Sequence, residues 1–156
     1  MSGLVFARNI AVDASCQRKK GLWTSEPGGA AENVTAKQDE NTGWWTYSSA
    51  VWYNLQAFQL ATPAEKGMVA YARLSNPDAL ISVENSEIIA RGDDWVAATY
   101  SGSGNLTLGI RGGNTVTLME SGVYTPEHWA ILKAAYDAGG LERPWFNWAT
   151  MPDPRS

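Results

Sequence analysis

Four carboxylates lie close together in the middle of the sequence: Glu84, Glu87, Asp93 and Asp94. Two opposed carboxyl groups are what a glycoside hydrolase uses, one as a general acid and the other as a base or nucleophile. However, Gly92-Asp93-Asp94 is also a typical turn sequence, because short polar side chains support tight backbone bends. A chain of 156 residues also leaves little room for a deep cleft. A small carboxylate-based hydrolase is therefore one alternative, and the residues favour a protein that is not an enzyme.

The other catalytic residue types are nearly absent. The chain has one histidine, His128, and one cysteine, Cys16. A disulfide needs two cysteines, and a zinc site usually takes three or four His or Cys ligands. A serine or cysteine triad would have to use His128, and no nucleophile elbow, phosphate-binding loop or dinucleotide-binding motif is present. We interpret His128 as a polar residue near a helix start and Cys16 as either a small buried thiol or a tolerated free one, and we expect no metal and no cofactor.

Tryptophan is the overrepresented residue type, with eight copies in 156 residues. Two or three indoles suffice for the core of a domain of this size. We therefore divide the tryptophans into two sets. The set expected to be packed inside is Trp52, Trp95 and Trp129, together with Tyr71. The set expected at a contact surface consists of aromatic residues beside a polar loop and in the C-terminal tail: Trp44, Trp45, Tyr47, Trp145, Phe146 and Trp148. Trp23 is left unassigned.

A cluster of exposed aromatic residues usually contacts a partner. Trp and Tyr are enriched at the hot spots of protein interfaces, so the favoured prediction is a protein–protein interface made by the second set. The alternative is a carbohydrate-binding, lectin-like module in which Trp44, Trp45 and Tyr47 form a platform that stacks on sugar rings.

Charge limits the partners further. Charged residues make up 18% of the chain, the net charge is −4 and the pI is about 4.9. Binding to a phosphate backbone requires clustered Lys and Arg, and the basic run at 18–20 is too short, so we expect no nucleic acid partner. The uncharged stretch 42–64 contains Asn, Gln and Ser and does not resemble a membrane span. Residues 1–10 lack the features of a signal peptide, so we expect synthesis in a cytoplasm.

Strand signals recur every 8 to 14 residues, which favours a β-sandwich or barrel. The predicted strands lie in the segments 3–12, 44–60, 67–74, 79–83, 87–90, 95–100, 106–110 and 115–118. Residues 24–43 are polar and glycine-containing and are predicted to be a long loop. Gly112-Gly113 stands between two alternating runs, which predicts a β-hairpin that joins them.

One helix is predicted over 126–138. Thr125 can cap it, Pro126 suits its first position, and Glu127 complements the positive N-terminal dipole. Apolar residues then recur at three- and four-residue spacing up to Gly139-Gly140, which should end the helix. The proline-rich, aromatic segment that follows predicts an extended tail.

The predicted fold is therefore an all-β, sandwich or jelly-roll-like domain with one C-terminal helix and an extended aromatic tail. We expect a single domain: a β-body at 1–122 that includes the polar loop at 24–43, the helix at 125–139, and the tail at 140–156.

In this layout the chain resembles small virion proteins of tailed bacteriophages, particularly those that decorate or cement a capsid. The resemblance rests on the β-body up to Gly122, the helix opened by Thr125-Pro126-Glu127-His128-Trp129, and the tail segment Pro144-Trp145-Phe146-Asn147-Trp148. It implies a structural protein of the virion with no chemistry of its own, forming a homo-oligomer, a dimer or trimer. It would bind the major capsid protein or other virion subunits and stabilise the shell through its arm and tail.

Overall fold

The computed structural model describes residues 6–11, 14–18, 22–23, 34–145 and 150–152. Its β-strands, all antiparallel to their neighbours, form two main sheets and a small two-stranded one, and one helix follows the last long strand. The strands are β1 (Phe6–Arg8), β2 (Leu22–Trp23), β3 (Thr35–Gln38), β4 (Trp45–Ser49), β5 (Tyr53–Leu55), β6 (Val69–Leu74), β7 (Leu80–Val83), β8 (Ser86–Arg91), β9 (Trp95–Tyr100), β10 (Leu108–Ile110), β11 (Asn114–Tyr124) and β12 (Thr150–Pro152). The helix is α1 (Pro126–Asp137). The predicted all-β fold with one C-terminal helix is confirmed for the described residues.

The larger main sheet has six strands in the order β3-β4-β11-β6-β9-β8. Its central member, β11, is eleven residues long and pairs with β4 along its first half and with β6 along its second. The pairing register between β11 and β6 shifts between Leu118 and Glu120, so β11 carries a bulge at this point. Bulges bend a strand and redirect its side chains, and this one precedes the buried carboxylate described below.

The smaller main sheet has the order β2-β5-β10-β7 and packs face to face on the larger one. Alternating residues of both sheets point into the space between them, as strand geometry requires. The resulting core contains fully buried residues from each sheet, among them Tyr47, Tyr53, Leu55, Leu74, Leu108, Ile110 and Leu118. This core makes the body a β-sandwich.

The six-stranded sheet is buried on its second face as well, where α1 packs on it. Val69, Tyr71, Trp95, Ala97 and Tyr124 of the sheet meet Trp129 and Leu132 of the helix in a separate apolar cluster. The indole of Trp95 makes an edge-to-face contact with the ring of Tyr136, with centroids 5.5 Å apart. The helix thus forms a third layer, and both faces of β6 and β9 are core.

Helix α1 begins as the sequence predicts. The Thr125 hydroxyl accepts a hydrogen bond from the backbone N–H of His128 at 3.2 Å, and Pro126 occupies the first turn. Gly139 follows with a φ of +82°, the left-handed conformation that commonly ends helices. The helix ends at Asp137, within one residue of the predicted boundary.

Two predictions about strand pairing are wrong. The segments 106–110 and 115–118 do not form a hairpin, because β10 pairs with β5 and β7 while β11 pairs with β4 and β6 in the other sheet. A Cβ on Gly112 would lie 2.6 Å from the Ala50 carbonyl oxygen, so glycine is needed there for close approach to the crossing between β4 and β5. The predicted loop at 24–43 contains β3, which pairs with β4 through a turn at 39–43.

Candidate functional site

The aromatic run at 44–47 does not form one surface. Tyr47 is only 1% exposed and lies in the sandwich core, so the predicted role of Tyr47 in an exposed platform is wrong. Trp45 packs against the same core, and its indole N–H donates to the Gln17 carbonyl at 3.0 Å. Trp44 is half-buried under Arg73, whose guanidinium carbon lies 5.6 Å from the ring centroid. Adjacent residues in an extended chain point to opposite faces, so Trp44 and Trp45 cannot stack together on one sugar.

The described part of the tail packs against its own chain. The Trp145 indole N–H donates to the Ser121 carbonyl at 2.9 Å, and the ring lies against the cluster under α1. Pro144 is buried. Trp145 therefore contributes to the fold of the described chain, whereas Phe146 and Trp148 of the predicted interface lie outside the described residues.

The aromatic residues expected in the core are not all buried. Trp95 and Trp129 are 3% and 8% exposed, and Tyr71 is fully buried, as predicted. Trp52 is half-buried and lines a surface pocket on the four-stranded sheet together with Ile81, Glu84 and Gly109. The assignment of Trp52 to the packed set is therefore wrong.

A buried carboxylate holds the tail segment to the sheet. Glu120 is 4% exposed, and its carboxylate accepts hydrogen bonds from the Tyr71 hydroxyl at 2.8 Å and from Arg143 Nε at 3.1 Å. Its other oxygen faces Arg73 at 3.4 Å, and Arg73 Nε also donates to Asp94 at 2.8 Å. Two guanidinium groups and a phenol therefore surround one buried anion, which satisfies its hydrogen-bonding capacity.

The surroundings of Tyr71 and Arg143 favour the protonated form of each side chain. Burial, and secondarily the charge of Glu120, raise the pKa of Tyr71, so that the phenol stays protonated and donates. Burial alone would lower the pKa of Arg143, but its hydrogen bond to Glu120 and the attraction between their charges outweigh that effect, and the net shift is upward. Tyr71 and Arg143 are thus both held in the protonated form that donates to Glu120.

The carboxylates expected for a hydrolase lie on strand β8 and in the turns at its two ends. Glu84 lies in the turn that follows β7 and accepts a hydrogen bond from Ser82, whereas Glu87 lies on β8 in the six-stranded sheet. Glu87 and Arg91 are four positions apart along β8, roughly 13 Å of strand, and Asp94 lies beyond that end. Glycoside hydrolases hold their two carboxyl groups about 5 to 9.5 Å apart. Asp94 is moreover engaged by Arg73 Nε at 2.8 Å.

The cysteine and the histidine, the other residues considered for catalysis, lie in the interior and at the start of the helix. Cys16 is 1% exposed, and His128 stands in the first turn of α1. Among the described residues, no group of three His, Cys, Asp or Glu side chains could hold a metal ion.

One broad surface cavity is lined entirely by polar and charged residues. It has a volume of about 690 Å³ and lies on the outer face of the six-stranded sheet, beyond the area that α1 covers. Hydroxyl groups of β3, β4 and β11 line up across this face; Thr46 and Thr117 share a hydrogen bond at 2.7 Å. The floor carries Thr35, Lys37, Thr46 and Ser48, with no aromatic residue. Such a face is readily hydrated and offers a partner no large apolar side chain.

The most unusual surface is strand β8, which is named here the β8 edge patch and consists of Glu87, Ile88, Ile89 and Arg91. All four residues are exposed, and Ile88 and Ile89 are 37% and 48% exposed. Strand β8 is the last strand of its sheet in the described chain, and a bulge at Ile89 interrupts its ladder with β9. Among the described residues the large exposed hydrophobic side chains are these two and Ile81. The two consecutive isoleucines of the predicted strand at 87–90, with Glu87 before them and Arg91 after them, were the available sequence signal for this surface.

No protein-family model, curated protein or solved structure matches this chain. Within the described residues, no helix has both the length and the apolar character needed to cross a bilayer. Its function is therefore inferred from the chemical character of its own surfaces.

Proposed function

We propose that this chain is a non-enzymatic structural protein that associates with a second copy of itself through the β8 edge patch. The observation that carries the proposal is the exposure of Ile88 and Ile89 on an edge strand. An edge strand with exposed apolar side chains is a surface that favours association with another chain.

The chemistry of the patch favours a protein partner. Burial of an isoleucine contributes about 1.5–3 kcal/mol when it is complete, so two half-exposed isoleucines retain a substantial part of that for an interface. The acidic net charge of −4 works against a phosphate backbone. The bulge at Ile89 works against indiscriminate strand addition, so side-chain packing would give the contact its selectivity.

The charges that flank the isoleucines favour a second copy over an unrelated protein. Glu87 and Arg91 are both exposed and stand at opposite ends of the Ile88-Ile89 pair. In a two-fold symmetric contact between antiparallel strands, each Glu87 approaches the Arg91 of the other copy. One patch is thereby complementary to itself in both hydrophobicity and charge.

A phage capsid is the assembly in which this role is proposed. The layout resembles that of small capsid decoration proteins, which implies oligomers that bridge the major capsid protein or other virion subunits. The arm and tail contacts expected for such a protein have to come from residues other than Trp145, which packs within the chain. A virion location requires that the protein remain bound to purified particles at a fixed copy number.

A charge exchange tests the self-association. Glu87→Arg places like charges against Arg91 of the other copy, and we expect dimer affinity to fall by about tenfold or more. The double variant Glu87→Arg with Arg91→Glu restores opposite pairs and should recover the wild-type affinity. Sedimentation equilibrium measures all three proteins. Equal affinity of the single variant and the wild type, or a double variant no better than the single one, would show that these charges do not meet.

A further inference from the structure

The outer face of the four-stranded sheet carries a small pocket centred on Gly109. Its volume is about 210 Å³, below the range of roughly 300–1,000 Å³ typical of sites for drug-sized ligands. Trp52 and Ile81 form apolar walls, and Glu84 supplies a carboxylate. Gly109 lies in the middle strand β10, directly between Asn54 of β5 and Ser82 of β7.

The glycine at the floor is not required by the backbone. Glycine weakens a strand interior, and there it often marks a place that another molecule approaches closely. Gly109 is absent from the residues with positive φ, so an L-residue could adopt its conformation. A Cβ at this position would lie 3.1 Å from Ser82 Oγ and 3.3 Å from Glu84 Oε1. The missing side chain therefore opens the floor of the pocket between these two polar groups.

Two side-chain oxygen atoms beside the floor can accept further hydrogen bonds. Glu84 Oε1 accepts a hydrogen bond from Ser82 Oγ at 3.0 Å, and in the described chain this is the hydrogen bond that its carboxylate makes. Asn54 Oδ1 is buried without a hydrogen-bond partner among the described residues and lies 3.6 Å from the position of that Cβ. A buried acceptor without a donor is costly, so a ligand that brings hydroxyl groups is favoured here.

We propose that this pocket binds a single neutral pyranose sugar. The indole of Trp52 is a flat apolar surface for the C–H face of the ring, as amphipathic aromatic side chains commonly provide. A carboxylate accepts hydrogen bonds from two adjacent hydroxyl groups, which is what Glu84 offers. The same charge repels an acidic sugar, and the small volume limits the site to one ring. The pocket is distinct from the β8 edge patch, so the sugar site does not depend on self-association.

The experiment is a two-dimensional ¹H–¹⁵N NMR titration of the full chain with the methyl pyranosides of glucose, galactose, mannose and N-acetylglucosamine. At least one sugar should shift the amide signals of Gly109, Ser82 and Glu84 and the indole signal of Trp52, with a dissociation constant of about 1 mM, as one shallow subsite allows. Glu84→Gln and Gly109→Ala should each weaken that binding by about tenfold, through loss of a charged acceptor and through filling of the floor.

Two matched variants serve as controls. Trp52→Ala should abolish the shifts. Its control is Trp44→Ala, which lies beside the other main sheet and should leave the shifts intact. Glu127→Gln on the helix is the control for Glu84→Gln and should bind like the wild type. The dispersion of each spectrum reports that the variant is folded. The proposal is overturned if no sugar shifts these signals at roughly 100 mM, a hundredfold above that constant. It is also overturned if the shifts map to another face, if Glu84→Gln and Gly109→Ala bind as tightly as the wild type, or if only methylammonium, added as a cationic probe, binds the pocket.

Discussion

Replacing Glu120 by alanine should lower the free energy of unfolding by about 3–5 kcal/mol. The carboxylate is 4% exposed and faces Arg73, Arg143 and the Tyr71 hydroxyl. Its removal leaves the Tyr71 hydroxyl without its acceptor, and it leaves the two guanidinium groups with the more exposed carboxylates of Asp94 and Glu142 as their ionic partners. Removing one member of a buried ion pair costs more than the pair itself contributes, because the remaining charges stay partly desolvated.

Urea unfolding followed by tryptophan fluorescence measures this loss. Asp137→Ala is the matched control, since it removes an exposed carboxylate paired with Lys133 one helical turn away, and such pairs contribute about 0.3–0.5 kcal/mol. Glu120→Gln retains an acceptor for Tyr71 and should fall between the two. If Glu120→Ala costs no more than Asp137→Ala, the cluster does not hold the tail segment to the sheet.

Replacing Trp129 by alanine should destabilise the chain by a similar amount, about 3–5 kcal/mol. Its indole is 8% exposed and packs against Tyr124, with ring centroids 6.5 Å apart, under the cover of α1. Truncation to a methyl group leaves a cavity between the helix and the six-stranded sheet, which well-packed neighbours fill only in part. The same denaturation experiment measures the change.

Ala130→Gly is the control for this prediction. Ala130 is the next residue along α1 and is exposed, so glycine there weakens the helix by about 1 kcal/mol without opening a cavity. A loss for Trp129→Ala that only equals the loss for Ala130→Gly would mean that the helix lies on the sheet without depending on this indole.

Local signals were enough to predict the helix and most strands. Thr125 and Pro126 determine how α1 begins, through contacts within four residues of the chain. Strands β6, β7, β8 and β9 likewise lie within or close to the predicted segments. The side-chain pattern along each strand and the turn residues between strands indicate strand conformation locally.

Strand pairing was not predictable in the same way. Gly112-Gly113 has the composition of a hairpin turn, but only Gly113 has a positive φ, of +80°, and the chain there crosses from one sheet to the other. The difference depends on Ala50 and Val51, which Gly112 approaches closely and which are distant in sequence. A short-range pattern contains no information about such a contact.

The aromatic surfaces show the same limit. Trp45 and Tyr47 were expected at a contact surface because they follow a polar loop, yet pairing of β4 with β3 and β11 turns Tyr47 into the core. Trp52 stands outside the packed set because it precedes β5 on the outer face of the smaller sheet, beside Gly109. Which face of a strand is covered depends on the other sheet and on α1, and composition alone does not reveal it.

Self-association through the β8 edge patch is tested most directly by sedimentation velocity of the wild-type protein and of Ile89→Asp, from roughly 1 μM to roughly 100 μM. Ile89 is 48% exposed, so aspartate there leaves the fold intact while it places a charge in the proposed interface. The account predicts a wild-type protein that becomes a dimer or higher oligomer as concentration rises, and a variant that remains monomeric throughout. A wild-type protein that stays monomeric over the whole range, or a variant that associates as well as the wild type, would contradict it.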